Sequence, residues 1–263
     1  MSSKDGNQDH NFTVKKEFAR QSESMQESRL FSDKEIIDRI SAPVIEMQGS
    51  IRVLDLGCGP GILTTALASH VSEVVGLDIT PEMIERACQR SIKLGLQNVR
   101  FEVGEAENLP FGDSYFDAIV TRLTFHHFTS PARVLGEMVR VLRRGGKLII
   151  ADVISSENTR EAEIHNALEA LRDPSHLKML SFKELKSFVE TSGLKITGLD
   201  EWINEREFGE WIKIANAPER ERPLFTVMKY LAEAGVTGGI NLRFEDGSRI
   251  NFNHHWIRIT AEK

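Results

Sequence analysis

VLDLGCGPGILTTALA, residues Val53–Ala68, joins an apolar run to an apolar helical pattern through three glycines at alternate positions. Gly57 and Gly59 let backbone approach a ligand with no Cβ in the way, and Gly61 lets the following helix sit close to the strand. The dinucleotide fingerprint G-x-G-x-x-G would put its third glycine at residue 62, where Ile62 stands instead. The pattern here is G-x-G-x-G, led by Asp55. It predicts a strand, a tight turn that receives a ligand, and a helix.

Outward from this turn the same alternation continues. EVVGLDI reads as a second strand and TPEMIERACQRSIKLG as a helix, with Thr80 as N-cap, Pro81 at its first position and Gly95 as its stop. VRFEVG and YFDAIVTR read as strands three and four. ARVLGEMVRVLRRGG reads as a helix closed by Gly145 and Gly146, and KLIIADV as strand five. Strands that are apolar on nearly every residue and separated by helices imply a parallel sheet buried on both faces. Upstream, SDKEIIDRISAPVIEM starts a helix at Ser32 or Asp33, with Ile36, Ile37 and Ile40 on one face. Residues 1–30 are polar and read as an N-terminal arm or lid. Beyond residue 153 helical segments dominate, with a capping box at Ser181 and Glu184, and an Asp-Gly hairpin closes the chain. The division expected is arm 1–30, core 31–153, and 154–263 as helical cap insertions and C-terminal strands completing the same domain.

Net charge is −6 over 263 residues, which disfavours nucleic acid and anionic membranes as partners. The basic run Arg140, Arg143, Arg144 and Lys147 reads as a helix end satisfying its own carbonyls. Two distant cysteines, Cys58 and Cys88, make neither a disulfide framework nor a zinc cluster and fit a reducing cytoplasm. No apolar run is long enough to span a bilayer, and the N-terminus lacks a signal-peptide core. No pattern demands a partner chain; a homodimer through the cap or the hairpin is compatible with the sequence.

Chemistry concentrates at the carboxyl ends of the strands. Asp78 ends the second strand, where a carboxylate accepts from two ribose hydroxyls. Within GEAENLPF after the third strand, Glu105 can accept from an adenine amino group while the Ala106 amide faces a ring nitrogen. His126 and His127 follow the fourth strand and are the candidate general bases, since histidine titrates near neutrality. His254 and His255 are strand neighbours on opposite faces, so at most one meets the site, and a structural or solvent role is expected for them. Adjacent histidines lack the helical spacing of metal ligands, and no metal is predicted. Phe12, Phe18, Phe31, Trp202, Phe208 and Trp211 are candidate walls of an apolar acceptor pocket or ordinary core.

VLDLGCGPG, VVGLDITPEMI, GEAENLPFGDSYFDAIV, RLTFHHF and RVLRRGGKLIIADV, in this order, resemble the class I S-adenosylmethionine-dependent methyltransferases. The branch is the one containing ubiquinone/menaquinone-biosynthesis methyltransferases and many small-molecule enzymes (methyltransferase type 11). The resemblance spans roughly residues 50–153. It implies a Rossmann-like seven-stranded α/β sheet, mostly parallel, with an antiparallel C-terminal strand and a helical cap. It further implies S-adenosylmethionine as cofactor and S-adenosylhomocysteine as product. Gly57 and Gly59 would pack on the amino-acid part, Asp55 would orient the turn or meet the amine, and Asp78 would take the ribose. Ile79 and Met83 would flank the adenine, while Thr121 and Arg122 would stand near the methionine portion. Glu105 departs from the family's more usual Asp or Thr, whereas Ala106 matches. The expected activity is methyl transfer to a small acceptor by in-line displacement, which rests mainly on alignment and exclusion of water. The rivals are an RNA or protein methyltransferase, a non-catalytic module that binds the same cofactor, and a nicotinamide enzyme.

Overall fold

A computed structural model describes residues 3–263. The chain opens with three helices, α1 (Ser3–Glu27), α2 (Arg29–Ser32) and α3 (Lys34–Ile45). Then strands and helices alternate: β1 (Arg52–Leu56), α4 (Ile62–Leu67), β2 (Glu73–Asp78), α5 (Pro81–Lys93), β3 (Val99–Val103), β4 (Phe116–Arg122), α6 (Pro131–Val141) and β5 (Leu142–Ile154). The remainder comprises α7 (Thr159–Arg172), α8 (Phe182–Thr191), β6 (Lys195–Glu207), α9 (Phe208–Ala215), α10 (Pro218–Glu233), β7 (Arg243–Glu245) and β8 (Arg249–Glu262).

The strands form one sheet in the order β3-β2-β1-β4-β5-β8-β6, with β7 paired to β8. The first five are mutually parallel, and β8 runs antiparallel to β5, β6 and β7. The mostly parallel α/β sheet is thus present, with eight strands rather than seven. The order in which strands are added reverses between β1 and β4, and ligands of such sheets bind beyond the strand carboxyl ends at that switch point. Two apolar layers cover the sheet, one around Leu54, Leu56, Phe116 and Leu135, the other around Ile40, Val53, Val120 and Ile149. A third, smaller core joins α7, α9 and α10 to the β7–β8 hairpin through Trp211, Met228 and Phe252. That is the cap.

The structure refines four local readings. The stretch expected as an N-terminal arm forms α1, a 25-residue helix packed on α5 and α9. The helix expected to run to Gly146 ends at Val141; Arg143 to Gly146 belong to β5, where Gly145 takes φ +70°. Arg140 satisfies the carbonyls of Leu109 and Phe111 in a neighbouring loop, not those of its own helix. Thr80 does cap α5 by position, but its hydroxyl makes no capping bond; Asp78 instead accepts from the Thr80 amide.

Candidate active site

The glycine turn is built by backbone. The amides of Gly57 and Cys58 both donate to the Leu77 carbonyl, at 2.8 and 3.1 Å, which ties the end of β1 to the end of β2. Gly57 lies at φ +71°, and a Cβ there would collide with the Thr124 side chain. Its missing side chain therefore makes room for the loop after β4. Gly59, at φ +52°, has only Met25 at 4.0 Å from a Cβ position, so this is the glycine whose space lies open. A Cβ on Gly61 would stand 2.8 Å from that of Ala87, so the third glycine admits α5 rather than the adjoining strand.

Beyond the turn lies a partly open cleft. Its floor carries Asp55, Gly57 and Gly59, its far side Asp78, Ile79 and Ala106, and its near side Arg122 and His127. Val14, Phe18 and Met25 of α1 form its roof. Asp78 accepts from the Gly59 amide and from the Thr80 amide, both at 2.9 Å. Burial raises its pKa in spite of these bonds. Asp55 is fully buried and accepts from the Thr64 hydroxyl at 2.6 Å; burial lifts it to about 6, against the pull of Thr64 and Arg122. The guanidinium of Arg122 donates from Nη2 to the Phe31 carbonyl at 3.0 Å, while its Nη1 is buried with no partner. Burial lowers Arg122 to about 10.

Four expected site residues stand apart from this cleft. Met83 is wholly buried in the sheet core, Thr121 faces inward under the strand end, and Glu105 is exposed. Gly104 and Ala106 on either side of Glu105 do line the cleft. So does Glu107, buried to 7% exposure, which the sequence reading passed over in favour of the acid two residues earlier. His126, the fourth, lines a second chamber instead.

That chamber shares Phe18, Met25, Phe31, Leu123 and His127 with the cleft. Gln21, His126 and Val153 also line it, and the far walls are Glu169, Arg172 and Asp173, Arg206, Trp211, and His254 of β8. Of the candidate aromatics, Phe18, Phe31 and Trp211 line it. Phe12 is exposed, Phe208 packs in the cap core, and Trp202 stacks on Trp256 at 5.4 Å between ring centres. His126 donates from Nδ1 to Asp152 at 2.8 Å, and Asp152 also accepts from the Phe125 amide. Burial pushes the His126 pKa down, but the charge and hydrogen bond of Asp152 outweigh it and the net shift is upward. His127 donates from Nδ1 to the Ser175 carbonyl at 2.8 Å; burial, then the neighbouring His126, lower it to about 4.

His254 is buried and donates from Nε2 to Glu169 at 3.0 Å. Its place in a chamber wall was missed because strand alternation shows which neighbours share a face, not what that face meets. Among the described residues, His165, Glu169 and His254 bring ligand-type atoms within 4.8 Å of one another. Arg172 is already ion-paired to the other oxygen of Glu169, at 3.2 Å.

Residues 48–215 match the family model described as a methyltransferase domain. The chain is 32% identical over 237 residues to the uncharacterized methyltransferase YcgJ of Bacillus subtilis, covering 89% of this chain and 93% of that one. It is 29% identical to the 27-O-demethylrifamycin SV methyltransferase of Amycolatopsis mediterranei, covering 87% and 82%. The crystal structure of YcgJ superposes with a TM-score of 0.80 at 31% identity, over 87% of this chain and 98% of that one. No described helix is long and apolar enough to cross a membrane.

Proposed function

The chain belongs to the class I S-adenosylmethionine-dependent methyltransferases, and from that premise we propose that its acceptor is a small molecule held in the second chamber. The acceptor atom is an oxygen, a nitrogen or an activated carbon.

The residues of the cleft suit the cofactor. Its amino-acid end needs an anion for the ammonium and a cation for the carboxylate, and Asp55 and Arg122 supply them. The unpartnered Nη1 of Arg122 is the donor left over for that carboxylate. Asp78, with a lone pair free on each oxygen beyond its two backbone bonds, suits the ribose hydroxyls. Ile79, beside Ala106, suits the adenine face, with Gly57 and Gly59 beneath the amino-acid end. Glu105 and Glu107 are the acids near the adenine end, and Glu107 is the one placed in the wall. The bound sulfonium supplies an electrophilic methyl group. The chain's own residues do the rest: α1 closes both chambers against water, and His127 and Leu123 stand where the chambers meet.

Where the acceptor must lose a proton, His126 is the group to hold it, because Asp152 orients its ring and favours its charged form. His127, neutral and fixed through Nδ1, positions rather than accepts. A metal at His165, Glu169 and His254 is disfavoured, because Glu169 already has Arg172 on one oxygen and His254 on the other. The two cysteines are unpaired, consistent with a cytoplasmic enzyme.

The observation that carries this reading is the second chamber itself, a recess beside the cleft walled by Phe18, Gln21 and Met25 of α1 and by residues of the cap. The test is transfer of a labelled methyl group in a mixture of small organic acceptors, total RNA and denatured protein. Label is expected in the organic fraction. Label confined to RNA or protein would sink the proposal, and no transfer despite tight S-adenosylhomocysteine binding would favour a non-catalytic module.

A further inference from the structure

Three residues in the walls of the second chamber carry four buried side-chain nitrogens without a hydrogen-bond partner. Arg206 is 2% exposed, and neither its Nε nor its Nη2 has a hydrogen-bond partner. The indole nitrogens of Trp211 and Trp256 are likewise buried and unpartnered. All three residues line the chamber. Guanidinium and indole nitrogens donate and cannot accept. No chamber-lining side chain carries a buried unpartnered acceptor.

The charges tell the same story. Glu169 is engaged by His254 at 3.0 Å and by Arg172 at 3.2 Å. Asp173 accepts from Gln21 Nε2 at 2.7 Å, from the Ser175 amide at 2.9 Å and from the Ser175 hydroxyl at 2.6 Å. Arg172 is spent on Glu169, on the Trp211 carbonyl at 3.3 Å and on the face of the Trp211 ring at 5.0 Å. Arg206 has only Glu210, 3.4 Å from its Nε without hydrogen-bond geometry, and that carboxylate is 44% exposed. The acids facing the chamber thus have hydrogen bonds from within the protein, whereas buried Arg206 has only its ion pair with the partly exposed Glu210. A buried polar group without a partner is costly, and a charged one more so.

We propose that the acceptor carries a single anionic group of the carboxylate class, and that Arg206 receives it, with Trp211 and Trp256 as neutral donors beside it. This rests on the reading of the second chamber as the acceptor site. It names what distinguishes that acceptor: a small, partly apolar acid, its apolar part against Phe18, Phe31 and Met179. A divalent cation at Glu169 would add positive charge beside Arg172 and Arg206 and leave every free donor unmet. A neutral ligand would leave Arg206 with only the partly exposed Glu210 opposite it.

The experiment is calorimetric titration of the full chain, saturated with S-adenosylhomocysteine, with 2-naphthoate and with its neutral counterpart 2-naphthamide. Saturation is measured first, so that failure of the cofactor reading is seen separately. The acid is expected to bind at least about tenfold more tightly than the amide, the scale of one hydrogen bond to a charged group. In Arg206→Met that preference should vanish, while S-adenosylhomocysteine affinity stays unchanged. Arg206→Lys, which keeps the charge, should restore part of it and guards against a folding artefact in the first variant. Equal binding of acid and amide, no binding of the acid, or a preference that survives Arg206→Met would each overturn the proposal. If S-adenosylhomocysteine itself fails to bind, the proposal falls with the reading beneath it.

Discussion

Asp55 and His126 set how the site responds to pH. Asp55 titrates near 3.8 in an open chain and near 6 in the fold, because burial outweighs the Thr64 bond and the attraction of Arg122, with Asp78 adding repulsion. Between those values the fold keeps a proton the unfolded chain has lost, so this group's contribution to stability is full below about 3.8 and falls as pH rises to about 6. A cationic amine has the opposite requirement, since it needs the ionised carboxylate. S-adenosylhomocysteine is therefore expected to bind about tenfold more weakly near pH 5 than near pH 7.5, by calorimetry. Asp55→Asn should bind weakly at both; a flat wild-type profile would remove Asp55 from the amine site. His126 and His127 are adjacent, yet their environments drive them apart, one raised by Asp152 and the other lowered to about 4. If His126 holds the acceptor proton, His126→Gln should lower kcat by about 10²–10⁴-fold and erase the acid limb of the kcat profile. His127→Gln should act mainly on KM. Equal losses of kcat in both variants would contradict the division of roles.

Among the elements, α1 controls access. It roofs both chambers, yet of its own side chains only Val14 and Met25 are buried hydrophobics. Its other ties are polar: Gln21 to Asp173, Ser24 to the Ile214 carbonyl, Glu17 to Arg220, Arg20 to Glu219, and His10 to the His127 carbonyl. Partly exposed ion pairs of this kind contribute little, about 0–1 kcal/mol each, so α1 is expected to open more readily than the strands beneath it. Hydrogen exchange should be faster in residues 8–27 than in β1 or β4 and should slow when S-adenosylhomocysteine binds. Exchange in α1 as slow as in β4 without ligand would rule out an opening roof. The same polarity explains why the sequence reads as an arm: α1 has no apolar stripe to announce it, and its partners lie on α5, α9 and the cap. β6 was hidden for a related reason. KITGLDEWINERE alternates exposed charges with half-buried residues along a sheet edge, and a reader sees the charges. Where strands are buried on both faces, as in β1 and β4, or where a cap is spelled out, as at Ser181 and Glu184, local sequence suffices. The glycine turn and Asp78 were legible because backbone geometry demands those residue types. Glu107, Arg206 and His254 were not, because their places in the walls are set by which distant elements face one another.

Across the whole molecule, the junction of cap and sheet is a store of neutral buried histidines. His127 follows β4, His165 lies on α7, His176 lies between α7 and α8, and His254 is on β8. Burial is the leading cause in each case: it lowers His127 and His165 to about 4, His176 to about 3, and His254 by an amount that its bond to Glu169 only partly offsets. An unfolded chain binds protons at these positions near pH 6.5, whereas the fold resists them. As pH falls from about 6.5 towards 4, the unfolded state therefore gains protons first, and stability falls by roughly a kcal/mol or more per pH unit for each such histidine. Asp55 works the other way between about 3.8 and 6, and Asp78, also raised by burial, acts in the same sense, but these are two groups against four. His126 also opposes, and its contribution changes above the neutral histidine range, not within the acid window. The net expectation is a steep loss of stability below about pH 6. The ring of His126 lies 4.3 Å from that of His127 and 5.4 Å from that of His176, so protons forced onto this group would repel one another where cap meets sheet. The cap should then separate before the parallel sheet melts. Urea unfolding between about pH 5 and pH 8, followed by Trp211 fluorescence in a Trp202→Phe, Trp256→Phe background for the cap and far-ultraviolet circular dichroism for the whole, reads both effects. His254→Gln, which can still donate to Glu169 but cannot titrate, should flatten the acid slope by about one proton's worth. A wild-type midpoint that does not move with pH would show that these histidines titrate as they do in the open chain.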